Sequence, residues 1–320
     1  MATALVFPGQ GSQSVGMGKA LAEAFPAARE VFARVDAALG QSLSRVIFEG
    51  PEADLTLTTN AQPALMATSL AVVRGLESEA GLDIARDVAF VAGHSLGEYS
   101  ALCAAGALTL EDAARLLRIR GDAMQRAVPV DAGAMAAILG LEFDEVAAVA
   151  AAATEELRAS GGVCEAANDN GGGQVVISGT KSAVELAMAM AKAKGAKRAL
   201  ALPVSAPFHC SLMRAAATAM AEALATTAIS APKAPLIANV TASPVTAPAA
   251  IRENLVAQVT GTVRWRECVL AMNARGVTRF VEAGAGKVLT GLVKRIAPGA
   301  SALSVGSPAD VAAYAAQCAA

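Results

Sequence analysis

The sequence predicts an α/β protein in which a largely parallel sheet is interrupted by a smaller unit. Short apolar segments at 2–7 and 87–93 have the length and β-branching of buried strands. They are followed by segments with apolar residues at helical spacing, as at 61–79 and 110–128. Strands that alternate with helices are typical of layered α/β folds. A βαββαβ order over residues 133–204 predicts the smaller unit.

The first part of the chain predicts the start of the parallel sheet. ATALVF at 2–7 forms a strand that runs into the turn PGQGSQ, and DVAFVAG at 87–93 forms a second strand. Helices are predicted at 17–25, 50–55, 61–79, 96–108 and 110–128.

The middle of the chain changes pattern. Strands are predicted at 133–140, 162–169, 174–179 and 196–204, and helices at 143–160 and 181–195. This is the order of a ferredoxin-like unit. We therefore predict a larger catalytic subdomain formed by residues 1–130 and 205–320, with a ferredoxin-like subdomain at 131–204 inserted between its halves.

The last part returns to the pattern of the first. Strands are predicted at 234–241 and 278–284, a Pro/Ala-rich loop at 243–249, and helices at 250–259, 265–276 and 287–296.

The composition excludes several classes of protein. Of 320 residues, 54% are hydrophobic and 17% are charged, which is typical of a chain with a large core. The net charge of −2 argues against a nucleic-acid partner, which would usually require a basic excess. The N-terminal stretch lacks a basic region, and the long uncharged stretches contain polar residues or prolines. Neither a secretory signal nor a membrane span is predicted, so we expect a cytoplasmic protein.

The cysteines do not predict a zinc site. They are odd in number, widely spaced and without a CxxC pair, and the chain has only two histidines. We interpret them as small buried hydrophobic residues. Cys210 is the possible exception because it adjoins His209, but nothing in the sequence indicates that its thiolate is activated. The five are Cys103, Cys164, Cys210, Cys268 and Cys318.

The segment GHSLG at 93–97 fits the G-x-S-x-G pattern of a nucleophile elbow. It follows a predicted strand and precedes a predicted helix, which is the setting that this motif requires. A strained turn would expose the Ser95 hydroxyl, and the helix N-terminus would offer N–H groups to a developing oxyanion. The alternative is an ordinary loop serine between glycines.

A serine nucleophile needs a base, and the two histidines are the candidates. His94 adjoins Ser95 in sequence, and an elbow points adjacent side chains elsewhere. His209, in VSAPFHCSLM, lies where the chain returns to the larger subdomain. We therefore favour His209 as the base, although no acidic residue that could orient it precedes it.

Two other segments are open to more than one interpretation. FPGQGSQ at 7–13 is neither a GxGxxG motif nor a Walker A motif, so it is a plain turn or a donor of backbone N–H groups. Arg115, Arg118 and Arg120 lie on the predicted helix 110–128. Arginines on helices are usually solvated, but one buried near Ser95 would grip a substrate carboxylate through two hydrogen bonds.

Eight segments are far more specific in their joint order and spacing than any one alone: FPGQGSQ (7–13), TTNAQPAL (58–65), GHSLGEYSAL (93–102), RGDAMQ (120–125), GAMAAILG (133–140), NDNGGGQVVISG (168–179), VSAPFHCSLM (204–213) and GKVLTGLVKRI (286–296). Together they resemble the malonyl-CoA:acyl-carrier-protein transacylases of bacterial fatty-acid synthesis over nearly the whole chain. The resemblance implies an α/β-hydrolase-like larger subdomain interrupted by a ferredoxin-like one, in agreement with the pattern above.

The resemblance implies a role for each matching residue. Ser95 would be the acylated nucleophile and His209 its base. Arg120 would hold the malonyl carboxylate, and the backbone N–H groups of Gln10 and Leu96 would form the oxyanion hole.

Further positions match less directly. The resemblance implies that the backbone carbonyl of Gln258 orients the histidine, in place of an acidic residue. Asn170 matches an asparagine near the mouth of the site. Phe208 would crowd a methyl branch on the substrate. Arg264 stands where other members have glutamine, and the sequence offers no reason for it.

The implied reaction is ping-pong transfer from malonyl-CoA to the phosphopantetheine thiol of an acyl carrier protein. It needs no cofactor or metal, and we expect a monomer. Two basic clusters would steer an acidic carrier, or would simply be solvated. They are Lys192, Lys194, Lys197 and Arg198, and Lys287, Lys294 and Arg295.

The sequence leaves three alternatives to this function open. A serine hydrolase or lipase would use the same elbow without Arg120 and would admit water. A non-catalytic scaffold would have lost at least one site residue. A free-standing acyltransferase of polyketide synthesis would share every site residue and differ only in its carrier.

Overall fold

A computed structural model describes residues 2–129, 131–204 and 206–319 of the chain. Met1, Val130, Ser205 and Ala320, where boundaries of the predicted subdomains fall, lie outside the described residues.

The described strands are β1 (Ala2–Phe7), β2 (Phe90–Gly93), β3 (Gly133–Leu139), β4 (Cys164–Asp169), β5 (Gln174–Thr180), β6 (Arg198–Ala201), β7 (Leu236–Ile237), β8 (Pro244–Val245), β9 (Val277–Ala283) and β10 (Ser301–Val305).

The described helices are α1 (Lys19–Ala24), α2 (Pro26–Leu39), α3 (Leu43–Glu49), α4 (Glu52–Thr56), α5 (Thr58–Ala80), α6 (Ile84–Asp87), α7 (Gly97–Ala104), α8 (Leu110–Arg126), α9 (Phe143–Glu156), α10 (Lys181–Ala193), α11 (Arg214–Thr226), α12 (Pro248–Gln258), α13 (Trp265–Asn273), α14 (Val288–Ile296) and α15 (Pro308–Ala319). Short 3₁₀ turns occur at Arg158–Ser160 and Ser211–Met213.

The larger sheet has the order β10-β9-β1-β2-β7-β8. Its neighbouring strands are parallel, except for the short antiparallel pair β7 and β8. Phe7 pairs with Gly93, so the carboxyl ends of β1 and β2 lie level with each other. Ligand sites of open parallel sheets form at such ends.

Helices cover both faces of this sheet because the residues of its strands alternate between two cores. In β1, Leu5 and Phe7 join the core formed with α2, α5 and α8, whereas Ala4 and Val6 join the core formed with α13 and α14. All four side chains are fully buried. A strand buried on both faces explains the unbroken apolar run in the sequence.

The smaller sheet has the order β4-β5-β3-β6 and is antiparallel throughout. Together with α9 and α10 it has the βαββαβ order of a ferredoxin-like subdomain. Its core is rich in alanine and valine. The predicted fold class, a parallel α/β layer interrupted by a ferredoxin-like unit, is confirmed.

Several predicted elements differ in extent from the observed ones. The strand predicted at 234–241 has only two paired residues, in β7. The predicted loop 243–249 is wrong in part, because it contains β8 and the start of α12. The helices α2, α3, α6, α11 and α15 and the strand β10 were not predicted from the sequence. In α11 (RAAATAMAEALAT), alanine on every side blurs the contrast between a buried and an exposed face.

Candidate active site

Ser95 lies on a sharp turn between β2 and α7. Its φ of 55° is in the left-handed region, which is costly for a residue with a side chain. The flanking glycines are required by close packing. A Cβ on Gly93 would lie 1.9 Å from the Gly97 carbonyl carbon, and one on Gly97 would lie 2.3 Å from the Phe7 oxygen. The structure thus has the strand–turn–helix geometry that the motif predicts.

The Ser95 hydroxyl contacts a histidine that is distant in sequence. Its Oγ lies 2.7 Å from Nε2 of His209. His209 also has a positive φ, 58°, and its side chain is buried in the cleft. His94, adjacent to Ser95, points away, and its Nε2 lies 2.9 Å from Oδ1 of Asn170. Of the two histidines, His209 is therefore the one in reach of the hydroxyl.

The other ring nitrogen of His209 is held by the backbone. Nδ1 lies 2.9 Å from the carbonyl oxygen of Gln258. Because a carbonyl oxygen can only accept a hydrogen bond, Nδ1 must carry the proton. Nε2 is then free of a proton and can accept one from Ser95. Burial, together with the smaller effect of the Arg120 charge, lowers the pKa of His209 to about 3. The imidazole is therefore a neutral base at physiological pH.

Arg120 brings a buried positive charge to the nucleophile. Its side chain is 1% exposed. Nη1 donates to Oε1 of Gln62 at 2.8 Å, while Nη2 donates to Ser95 Oγ at 3.1 Å and to Oε1 of Gln258 at 2.8 Å. Its Nε has no hydrogen-bond partner within the described part of the chain. The neighbours that it contacts are neutral oxygens, so an incoming carboxylate would be its first directly bonded counterion.

The position of Arg120 follows from a close approach of two helices. Gly121, the next residue of α8, faces the backbone of α5, where an added Cβ would lie 2.7 Å from the Thr58 oxygen. This contact brings Arg120 on α8 beside Gln62 on α5.

A cavity of about 600 Å³ opens over Ser95 between the two subdomains. Seven of the eight predicted site residues line it: Gln10, Ser95, Leu96, Arg120, Asn170, Phe208 and His209. The eighth, Gln258, is fully buried behind them.

The predicted oxyanion donors lie on either side of the nucleophile. Leu96 immediately precedes α7, where backbone N–H groups have no partner within a helix. Gln10 lies in the turn after β1, and its side chain donates to Thr58 Oγ1 at 3.2 Å. The role of their N–H groups stays a prediction.

Three buried residues of the site were not assigned a role from the sequence: Gln62, Glu98 and Asn239. The structure also gives Gln258 a side-chain contact, since its Nε2 donates to the Ser95 carbonyl at 2.9 Å. Burial raises the pKa of Glu98 to about 8, although hydrogen bonds from Asn239 and Gln258 oppose this. Asn239 follows β7, the neighbour of β2, so its place at the carboxyl end of a parallel strand was the available signal.

The remaining predictions concern residues around this centre. Burial raises the pKa of Cys210 to about 11, which disfavours a reactive thiolate. Arg264 pairs with Glu267 and donates to the Val240 carbonyl at 3.2 Å, so it braces the loop after β7. The basic residues of both predicted clusters are exposed. Those of the second cluster lie on or next to α14, whose residues Val288, Leu289 and Leu292 line the cavity.

The described residues provide neither a metal-binding cluster nor a membrane-spanning helix. No group of three or more His, Cys, Asp or Glu side chains there is arranged to hold a metal ion. None of the described helices combines the length and apolar character needed to cross a membrane.

Comparison with known proteins identifies the class. The acyl transferase domain family matches residues 4–309. The chain is therefore an acyltransferase.

The relatives are more specific. The chain is 48% identical over 308 residues to the malonyl CoA-acyl carrier protein transacylase of Bacillus subtilis, covering 96% of this chain and 94% of that one. It is 46% identical to the protein of the same name from Escherichia coli K12, over 97% of each. A crystal structure of acyl-carrier-protein S-malonyltransferase from Bartonella henselae matches with a TM-score of 0.95 and 55% identity, over 100% of both chains. The chain belongs to the malonyl CoA-acyl carrier protein transacylase family.

Proposed function

We propose that this protein transfers the malonyl group of malonyl-CoA to the phosphopantetheine thiol of acyl carrier protein, through a malonyl-Ser95 intermediate. The observation that carries the proposal is the contact of one hydroxyl, Ser95 Oγ, with both His209 and Arg120. A base and a carboxylate-binding cation at the same nucleophile fit a carboxylated acyl group.

In the first half-reaction, Ser95 Oγ attacks the thioester carbonyl of malonyl-CoA. His209 Nε2 takes the hydroxyl proton, and the Gln258 carbonyl stabilises the imidazolium through Nδ1–H. The N–H groups of Gln10 and Leu96 bind the oxyanion, and loss of one such donor typically costs about 10²–10³ in rate. The carbon–sulfur bond then breaks, and coenzyme A leaves with the proton from His209.

In the second half-reaction, the carrier thiol occupies the place of coenzyme A. His209 takes its proton, the sulfur attacks the malonyl ester, and Ser95 recovers its proton as the ester bond breaks. The carrier as partner is supported by relatives of that name. One matching structure, 41% identical with a TM-score of 0.94 over 99% of this chain and 100% of that one, is a malonyl-transacylase in complex with a type II polyketide acyl-carrier protein.

Arg120 supplies the selectivity. A malonyl carboxylate would replace the neutral partners of the guanidinium by two charge-assisted hydrogen bonds. An acetyl group would leave the buried cation without a counterion, which costs several kcal/mol by rough estimate. Phe208, which lines the cavity, would crowd a methyl branch at the malonyl carbon.

We further propose a role in fatty-acid biosynthesis, a cytoplasmic location, a monomeric state and no cofactor requirement. The name shared by the relatives supports the first of these. Sedimentation at micromolar concentration tests the monomeric state.

The test is the intact mass of the protein after brief mixing with equal amounts of malonyl-, methylmalonyl- and acetyl-CoA. We expect a single malonyl adduct that maps to Ser95. Free malonic acid without an adduct would indicate the hydrolase instead, and a mixture of the three adducts would remove the selectivity argument. Adding holo carriers of fatty-acid and polyketide synthesis in parallel then identifies the preferred acceptor by its discharge rate.

A further inference from the structure

One buried side chain holds the backbone on both sides of the nucleophile. Asn239 is fully buried behind the turn. Its Oδ1 accepts the Ser95 N–H at 2.8 Å, and its Nδ2 donates to the Gly93 carbonyl at 2.8 Å. A single carboxamide therefore bridges two peptide groups of the turn that exposes Ser95.

These are the groups that the turn itself leaves without strand partners. Ser95 has a φ of 55°, and β2 ends at Gly93. Beyond that point the backbone cannot continue the ladder with β7, so its polar groups need side-chain partners. Asn239 lies two residues after β7 and provides one donor and one acceptor in the required places.

Asn239 is itself fixed from two directions. Its N–H donates to Oε1 of the buried Glu98, and its carbonyl accepts the Arg264 N–H at 3.1 Å. The other carboxyl oxygen of Glu98 accepts from Gln258 Nε2, which also donates to the Ser95 carbonyl. The turn is therefore clamped by a connected network in which partners are satisfied on both sides of Ser95.

We propose that Asn239 is a positioning residue for the nucleophile: its carboxamide holds the Ser95 peptide in the conformation that directs Oγ toward His209. The proposal rests on the proposed function only for the identity of the acyl donor. The same position of Oγ is needed for attack on any electrophile.

The variant Asn239→Ala tests this role. It leaves the Ser95 N–H and the Gly93 carbonyl unpaired, so the turn relaxes and Oγ loses its alignment with His209. Misplacement by about 1 Å can cost on the order of 10²-fold in rate. We therefore expect the single-turnover acylation rate at saturating malonyl-CoA to fall about 100-fold. The half-saturation concentration should change less than about threefold. Arg120, on α8, still binds the carboxylate.

The control is Asn273→Ala, at an exposed asparagine. Asn273 also uses Nδ2 to hold a backbone carbonyl, that of Val277 at 3.1 Å, in the turn between α13 and β9. It should retain the acylation rate of the wild type. Equal losses in both variants would overturn the proposal in favour of general destabilisation.

A second probe separates this proposal from the proposed function. With phenylmethylsulfonyl fluoride, the Ser95 oxygen–sulfur bond forms, the sulfur–fluorine bond breaks, fluoride leaves and His209 takes the hydroxyl proton. Sulfonylation of Asn239→Ala should also be about 100-fold slower than that of the wild type. If the wild type takes no malonyl group but is sulfonylated, the proposed function fails and the sulfonylation ratio still decides the role of Asn239.

If Asn239→Ala does not fold, Asn239→Asp gives the same comparison. It keeps the acceptor for the Ser95 N–H but turns a carboxyl oxygen toward the Gly93 carbonyl, so one hydrogen bond is lost and repulsion is added. A loss of at least about tenfold is therefore expected. Wild-type acylation and sulfonylation rates in either folded variant would overturn the proposal. A raised half-saturation concentration with an unchanged rate would do the same.

Discussion

The turn at Ser95 and the loop at His209 both contain a strained left-handed residue, but different contacts hold the two segments. Both residues have a positive φ, 55° and 58°, and both have a full side chain. The Ser95 turn is held by Asn239 and Gln258, which belong to the same larger subdomain. The His209 loop is held at the ring by the Gln258 carbonyl and, two residues on, at Ser211 by Glu165 of β4.

The nucleophile and its base are therefore held by different sets of contacts. The backbone of Ser95 is held by side chains of the larger subdomain, with the neighbouring His94 in contact with Asn170 of the smaller one. The loop of His209 is tethered to both subdomains, through Gln258 and Glu165. The Ser211 N–H donates to both carboxyl oxygens of Glu165 at 3.3 Å, and its hydroxyl also donates to Glu165. A displacement of the smaller subdomain would therefore act on the loop of His209 through the contacts between Glu165 and Ser211.

The largest effect is expected from Ser95→Ala, which removes the nucleophilic hydroxyl. Without Oγ no acyl-enzyme can form, and His209 has no hydroxyl to deprotonate. Incubation with malonyl-CoA should leave the intact mass unchanged, and transfer to a carrier should be lost. Persistent turnover in this variant would refute the covalent mechanism.

The next largest effect is expected from Arg120→Ala. The substitution removes the group that would bind the malonyl carboxylate. It also removes a buried charge that lacks a directly bonded counterion. The rate of malonyl transfer should fall by several orders of magnitude, while the ratio of acetyl to malonyl transfer rises. Competition between the two CoA thioesters measures that ratio. An unchanged preference would assign selectivity to another residue.

A smaller effect is expected from Glu165→Gln, which loosens only the His209 loop. One acceptor for Ser211 is replaced by a donor, so about 1 kcal/mol of hydrogen bonding is lost. The kcat for malonyl transfer should fall up to about tenfold with little change in KM. The control is Glu185→Gln, an exposed glutamate on α10 of the same subdomain. If both variants behave alike, the tether does not govern the base.

The smallest effect concerns pH. Burial lowers the pKa of His209 to about 3, so the base stays neutral as the pH falls through the ordinary histidine value of 6.5. The acylation rate should be flat between about pH 5 and 7, measured by quenching and intact mass. An acid limb centred near pH 6.5 would show that His209 titrates as an exposed histidine.

The same shift predicts the sign of a stability change. Below pH 6.5 the unfolded chain protonates this histidine while the folded chain does not, so the unfolded state binds more protons. The contribution of His209 therefore lowers the free energy of unfolding as the pH falls from 6.5 toward 3.

Local pattern accounted for most of the fold and for Ser95, and the place of His209 after the inserted unit favoured it as the base. Strand β1, helix α8 and the βαββαβ unit have strong periodicity or a distinctive order, and all were predicted. The short β7 and the alanine-rich α11 were missed or overextended, because two paired residues or a uniformly small surface give little periodic signal. The scarcity of histidine narrowed the base to two candidates.

What the sequence by itself determined was the turn around Ser95, because Gly93 and Gly97 must be glycine for the strand, turn and helix to pack. Tertiary structure decided which groups meet there. His209, Arg120 and Asn239 come from three other parts of the chain, and only the parallel sheet and the contact of α5 with α8 bring them within hydrogen-bond distance. Their partners, a backbone carbonyl and neutral amides, have no signature in sequence because a hydrogen bond between distant residues depends on geometry rather than on neighbouring residue types.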